Sequence, residues 1–120
     1  MNVLPVGPLN FFVGETNHPI EVFVRDSEVD PTSLTAEFQL LSWADGSEVI
    51  AWTTATISEK VEHETPTSSY WSFRVSFAWT VDEPVGVYRG FFRLLTGMGA
   101  KSVLTPAAGH FISIYGALPG

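Results

Sequence analysis

The stretch WSFRVSFAW, residues 71–79, alternates large apolar side chains with small or polar ones along its whole length. Successive side chains of an extended strand point to opposite faces, so a period of two predicts a strand with one buried face. That face would hold Trp71, Phe73, Val75, Phe77 and Trp79. The other would hold Ser72, Arg74, Ser76 and Ala78. The stretch therefore predicts a core strand of a β-protein.

The same period recurs along the chain, and turn signals separate the segments that show it. Residues 20–25, 34–40 and 87–94 alternate in this way, and Asp45-Gly46 has the composition of a tight hairpin turn. No segment keeps a helical period. The pattern predicts an all-β fold, an antiparallel sandwich of seven or eight strands in a single domain spanning residues 1–120.

Side-chain parity also predicts which residues form the core and which segment forms a loop. The polar stretch EKVEHETPTSS, residues 59–69, has no apolar period and is expected to be a mobile loop. The expected core consists of the apolar residues that share the buried face of each strand. They are Val22, Val24, Phe38, Leu40, Phe73, Val75, Phe77, Tyr88 and Phe92.

Composition narrows the classes of function. Hydrophobic residues make up 45% of the chain and charged residues only 16%, against the usual quarter or so, which predicts an apolar surface that meets another protein. The net charge of -7 argues against nucleic acid as a partner, because that affinity rests on lysine and arginine. No segment is typical of a secretory signal or a membrane span, so no membrane partner is expected.

Charge is distributed unevenly along the chain. Up to Pro66 there are 11 acidic residues and two basic ones, whereas beyond it there are two acidic and four basic residues. Early and late strands of a sandwich can lie on different sheets, so the sequence predicts an acidic side and a basic side.

Two acidic segments are candidates for metal or acid–base chemistry. Asp26, Glu28, Asp30 and Glu37 imitate the ligand spacing of a calcium loop, but Pro31 stands where such a loop needs glycine. In Glu62-His63-Glu64, strand alternation would turn the histidine away from both carboxylates. The chain has no cysteine, and no serine lies beside a recognisable base. We expect no enzyme activity, no metal and no cofactor.

The segment VYRGFFRL, residues 87–94, has two contrasting faces. Tyr88, Gly90, Phe92 and Leu94 continue the core, while Arg89, Phe91 and Arg93 share the opposite face. A phenylalanine between two arginines predicts an interaction surface, with an apolar anchor and two partners for carboxylates. The same pattern fits a solvated strand on which the arginine stems cover Phe91.

Two further aromatic residues raise the possibility of a sugar site. Trp43 and Trp52 bracket the Asp45-Gly46 turn, and exposed tryptophan rings can stack on sugars. They form a possible carbohydrate platform, although an isolated tryptophan also fits a packed or interface position.

The stretch DEPVGVYRGFF, residues 82–92, resembles a strand of the immunoglobulin-like domains found in phage virion proteins, such as the N-terminal domain of siphophage upper baseplate proteins. Gly14 to Val22, Leu34 to Phe38 and Ala107 to Ile114 are similar to other strands of that group. The resemblance implies an immunoglobulin-like sandwich located in the virion after assembly in the host cytoplasm.

On this resemblance the chain is expected to be a small, non-enzymatic virion structural protein. It would decorate or cement the capsid, or act as an adaptor in the neck, tail or baseplate. Its partners would be other virion proteins and copies of itself. The alternative is a carbohydrate-binding module that attaches to host or surface glycans.

Overall fold

The computed structural model describes residues 2–6, 10–14, 16, 19–79, 81–97, 101–103 and 110–116. The start of the closing segment at Ala107 lies outside these residues. No helix in the described part of the chain is long and apolar enough to cross a membrane.

The described residues form nine strands and one short 3-10 helix, so the all-β prediction is confirmed. The strands are β1 Asn2–Val6, β2 Asn10–Phe12, β3 Ile20–Ser27, β4 Leu34–Ser42, β5 Glu48–Glu64, β6 Ser69–Phe77, β7 Gly86–Thr96, β8 Lys101–Val103 and β9 His110–Tyr115. The 3-10 helix, Pro31–Ser33, lies between β3 and β4 and is capped by the Asp30 side chain.

Eight strands follow one another in the order β1-β3-β6-β5-β4-β7-β9-β2, and β8 pairs with β7. The 17-residue strand β5 joins the two halves of this curled sheet. Its residues 48–55 pair with β4, and its residues 56–64 pair with β6.

The prediction of a purely antiparallel fold is wrong for one pair, because β2 runs parallel to β9. The reason is physical: alternation shows which side chains face the core, but it carries no information about the direction of the neighbouring strand. The sheet is therefore mixed, although the other pairs are antiparallel.

The expected mobile loop at residues 59–69 is also a misassignment. Residues 59–64 continue β5 and pair with the start of β6, as His63 does with Tyr70. A short turn held by Thr65 and Ser68 connects the two strands. Both faces of this hairpin end are largely exposed, so its sequence shows no apolar period even though its backbone is paired. The Asp45-Gly46 hairpin between β4 and β5 is confirmed, with Gly46 at φ 70°.

The core lies on the concave side of the curled sheet. Eight of the nine expected core residues are buried, whereas Phe77 is partly buried and stacks on Phe38 with ring centroids 4.7 Å apart. Trp79 is buried and Trp71 is partly buried against the core. Ile112 and Phe38 reach over Gly90 from the strands on either side, to 2.7 and 3.0 Å from where a Cβ would stand. Gly90 thus makes room for the packing of β4 against β9 across β7.

Candidate interaction face

The side chains of strand β7 alternate between a buried and an outer face, as the sequence predicts. Tyr88, Gly90, Phe92 and Leu94 are buried, while Arg89, Phe91 and Arg93 lie half-buried on the opposite, convex side of the sheet. β7 pairs with β4 in register, so Phe91 lies opposite Gln39. The three candidate interface residues are therefore adjacent on one outer surface.

Both candidate sugar-binding tryptophans lie on this same surface. The Arg93 guanidinium carbon is 3.9 Å from the ring centroid of Trp52, and that of Arg89 is 4.7 Å from the ring centroid of Trp43. Two sites that the sequence suggested separately are one surface in the structure. We call Trp43, Trp52, Arg89, Phe91 and Arg93 the aromatic–arginine face.

The charge of Arg93 is compensated within the chain. Its Nε donates to Oε1 of Glu37 at 2.7 Å, and its Nη2 forms an ion pair with the same oxygen. Both side chains are mostly buried, and one face of the guanidinium lies over Trp52. Such a fixed ion pair positions the tryptophan ring, and it leaves little charge for an outside partner.

Arg89 is held more weakly. Its Nη2 donates to the Trp43 carbonyl oxygen at 3.4 Å, a long distance for a hydrogen bond. Its Nε is buried with no hydrogen-bond partner among the described residues. Trp43 beneath it is 46% exposed. Arg89 is thus a cation held mainly by its stacking on an exposed aromatic ring.

Sequence reasoning missed the pairing of each arginine with a tryptophan. Trp43 and Arg89 are 46 residues apart, and no periodic pattern relates the two positions. Finding these contacts requires the register of β4 against β7, which local sequence patterns do not contain. That register places Ser42 opposite Tyr88 and Glu37 opposite Arg93.

The arginines of the later strands do not form a basic side. Arg74 on β6 pairs with Glu21 on β3 at 3.0 Å and with Glu59 on β5 at 2.9 Å, and Arg93 pairs with Glu37. β6 lies between β3 and β5, and β7 is next to β4, so the sheet order itself brings late arginines against early carboxylates. The predicted separation of charge therefore fails for both of these arginines.

The convex side of β3, β5 and β6 carries an open hollow of about 450 Å³. It is lined by Phe23, Arg25, Glu59, Val61, His63 and Ser72. Two β-bulges flank β6 at this level, and each contains an acidic residue at positive φ, Asp26 at 56° and Glu59 at 52°. The turned backbone at Glu59 accompanies its ion pair with Arg74.

The acidic residues that the sequence suggested for metal or acid–base chemistry have other roles in the structure. Asp30 accepts hydrogen bonds from the Thr32 amide and hydroxyl at 2.8 and 2.7 Å, and these bonds lower the pKa of its carboxyl. Glu37 is paired with Arg93, and the β5–β6 register alternates His63 with Glu62 and Glu64. Among the described residues, no group of three or more histidine, aspartate or glutamate side chains could hold a metal ion.

No known protein family matches this sequence, and a comparison with curated proteins finds no significant similarity.

Proposed function

We propose that this chain is a bacteriophage virion structural protein, a small immunoglobulin-like module without enzymatic activity. It decorates or cements the capsid, or serves as an adaptor in the neck, tail or baseplate, and it docks on other virion proteins. The setting rests on the resemblance of residues 82–92 and the other strands to virion immunoglobulin-like domains. The docking role rests on the aromatic–arginine face.

Strand order supports the immunoglobulin-like part of the proposal. One half of the sheet runs β1-β3-β6-β5 and the other contains β4-β7-β9. These orders correspond to the A-B-E-D and C-F-G sheets of immunoglobulin domains, with β5 taking the place of strand D in one half and extending the other. The correspondence accounts for five of the six neighbouring pairs among these seven strands, and the sixth pair, β4–β5, joins the two halves.

A tyrosine at the start of β7 gives further support. The Tyr88 hydroxyl donates to the Pro84 carbonyl oxygen at 2.6 Å, four residues upstream. Immunoglobulin domains commonly carry such a tyrosine near the start of strand F, where its hydroxyl bonds back to the preceding corner. Pro84 and Tyr88 both belong to the stretch that resembles the virion domains.

The composition of the aromatic–arginine face supports docking on protein. Tryptophan, phenylalanine and arginine are enriched in the centres of protein interfaces, and a few such residues supply most of the binding energy. Phe91 lies between Arg89 and Arg93, and the Arg89 guanidinium lies over the exposed Trp43 ring. We assign Arg89, Phe91 and Trp43 as the docking anchors and Arg93 as the residue that positions Trp52.

Carbohydrate binding is the second candidate, because Trp43 and Trp52 lie on one surface. The two rings pack on Arg89 and Arg93. These arginines are four residues apart along β7, which is about 13 Å at the usual rise per residue. Each ring already has an arginine over it. A glycan would therefore use the uncovered side or edge of each ring. Micromolar binding on a glycan array that is lost in Trp43→Ala would favour this alternative.

The docking role can be tested in particles that carry variant copies of the chain. The double variant Arg89→Glu, Phe91→Ser reverses the charge at position 89 and removes the apolar centre but leaves the Arg93–Glu37 pair intact. We expect it to fold, as judged by circular dichroism, and to be lost from purified particles.

The matched control is Arg25→Glu, Val61→Ser. Both residues are exposed and line the hollow on the other half of the sheet, and the change in charge is the same. This variant should assemble like the wild type. Normal incorporation of a folded Arg89→Glu, Phe91→Ser variant would exclude the aromatic–arginine face as the docking surface.

A further inference from the structure

The hollow on the convex side of β3, β5 and β6 exists because a small residue lies between two larger ones on β6. Tyr70, Ser72 and Arg74 alternate with core residues, so they share the convex face. Ser72 has the shortest side chain of the three and forms the floor. Phe23 of β3 and Val61 of β5 line the hollow from the two neighbouring strands. The hollow thus has an apolar wall on either side of a short hydroxyl side chain.

The backbone of both neighbouring strands is irregular at the level of Ser72. Relative to β6, β3 and β5 each have one extra residue there. These two bulges contain Asp26 and Glu59, the only residues other than glycine at positive φ in the described part of the chain. Such backbone is uncommon away from glycine, and bulges next to binding sites serve to re-aim side chains. Two of them around one hollow favour a binding site over a plain sheet surface.

One cation on the rim of the hollow has no carboxylate partner. Arg25 is exposed, and its guanidinium carbon lies over the Phe23 ring, 5.9 Å from the ring centroid. It takes part in none of the ion pairs among the described residues. Glu59 also lines the hollow, but its carboxylate is bound to Arg74. Arg25 is therefore available to an anion from outside the chain.

The surrounding charges limit what kind of anion fits. Arg74 is shared by Glu21 and Glu59, so this cluster keeps a net negative charge beside the hollow. A doubly charged group such as phosphate would be repelled by it, whereas a single carboxylate needs only the planar fork of one guanidinium. The volume of about 450 Å³ lies within the usual range of small-molecule sites.

We propose that the hollow binds a small carboxylic acid with an apolar body, of the aryl- or alkyl-carboxylate class. The carboxylate pairs with Arg25, and the apolar body packs between Phe23 and Val61 over Ser72. His63, which also lines the hollow, can donate a further hydrogen bond. This site is separate from the aromatic–arginine face, and the proposal does not depend on the virion role.

A titration of the purified chain with phenylacetate, followed by amide NMR spectra, tests this proposal. We expect saturable shifts at the amides of Arg25, Val61 and Ser72, with a Kd of about 1 to 10 mM, as befits a small ligand in an open site. Phenylacetamide has nearly the same shape without the charge and should bind at least about fivefold more weakly. Equal affinity for the two compounds, or no saturable shift at these amides up to about 20 mM phenylacetate, would overturn the proposal.

Variants separate the roles of charge and space. Arg25→Gln should weaken phenylacetate binding about fivefold or more and leave phenylacetamide binding unchanged, a difference that a merely structural role would not produce. Ser72→Val raises the floor of the hollow and should abolish binding of both compounds. The control Lys60→Gln removes the same charge from an exposed neighbour that does not line the hollow, and it should bind like the wild type. Unchanged phenylacetate binding by Arg25→Gln, folded as judged by circular dichroism, would contradict the assigned site.

Discussion

Tyr88 is the residue whose role is most sharply defined. Its hydroxyl is bonded to the Pro84 carbonyl, and its ring is buried at the start of β7. Tyr88→Phe keeps the ring and removes the hydrogen bond. We expect the free energy of unfolding to fall by about 1 kcal/mol, the usual net value of such a bond, in urea denaturation. A change indistinguishable from zero would mean that this hydrogen bond does not stabilise the fold.

The same residue predicts a pH dependence. Burial raises the pKa of the Tyr88 phenol above its ordinary value of 10.0, and the Glu83 carboxylate raises it further. The folded protein therefore holds this proton more tightly than the unfolded chain does. The resulting stability is complete below about pH 10 and is lost as the pH rises through the folded pKa. Because Tyr88→Phe has no such proton, its deficit against the wild type should shrink above pH 10; a constant deficit would refute this.

Gly90 gives a second prediction at this scale. A methyl group at this position would meet the Ile112 side chain at 2.7 Å and the Phe38 ring at 3.0 Å, both in the buried core. Phe38 is further confined by its contacts with Phe77 and Phe92. Gly90→Ala should therefore destabilise the protein by about 1 to 3 kcal/mol, the usual cost of overpacking. A stabilised variant would show that the core can relax at this point.

At the scale of the element, β6 allows a comparison within one strand. Phe73 is completely buried, whereas Phe77 is only partly buried and stacks on Phe38. Phe73→Ala should cost about 3 to 5 kcal/mol through lost transfer energy and a residual cavity. Phe77→Ala should cost less, because its site is partly open to solvent. Denaturant melts that reverse this order would show that the strand register is wrong.

The end of the β5–β6 hairpin should open independently of the core. Its turn is held by Thr65, whose Oγ1 accepts from the Ser68 amide and donates to the Ser68 carbonyl, each at 3.0 Å. Thr65→Ala should speed hydrogen exchange of the amides near His63 and Tyr70 about threefold, since exposed hydrogen bonds of this kind together contribute only a fraction of a kcal/mol. The amides of Val22 and Phe73 in the core are the internal control and should be unaffected.

The elements also show how far sequence alone reaches. Parity predicted the faces of β3, β4, β6 and β7, because one face of each is buried and a strand has a fixed period of two. It failed at residues 59–64, where both faces of the paired hairpin meet solvent and burial leaves no pattern. It could not reveal the parallel β2–β9 pair or the change of partner within β5. Both depend on contacts between segments distant in sequence.

At the scale of the whole molecule, the sequence named the residues of the candidate site but not their arrangement. Local alternation put Arg89, Phe91 and Arg93 on one face of β7. Trp43 directly follows β4 and Trp52 lies on β5, so the packing of Arg89 on Trp43 and of Arg93 on Trp52 depends on the strand order β5-β4-β7. The prediction of an acidic side and a basic side, drawn from the charge asymmetry along the chain, failed for the same reason. The sheet order brings Arg74 and Arg93 against carboxylates from the first half of the sequence.

The most direct test of the central claim is to measure how many copies of this chain purified phage particles contain. The proposed role implies a phage that encodes the chain, and particles of such a phage are to be purified on a density gradient, washed at high salt and analysed by quantitative mass spectrometry against the major shell and tail proteins. A structural protein should be present at a fixed ratio to one of these proteins in independent preparations. Absence of the chain from infectious particles, or a trace amount that varies between preparations and is washed away by salt, would contradict a structural role in the virion.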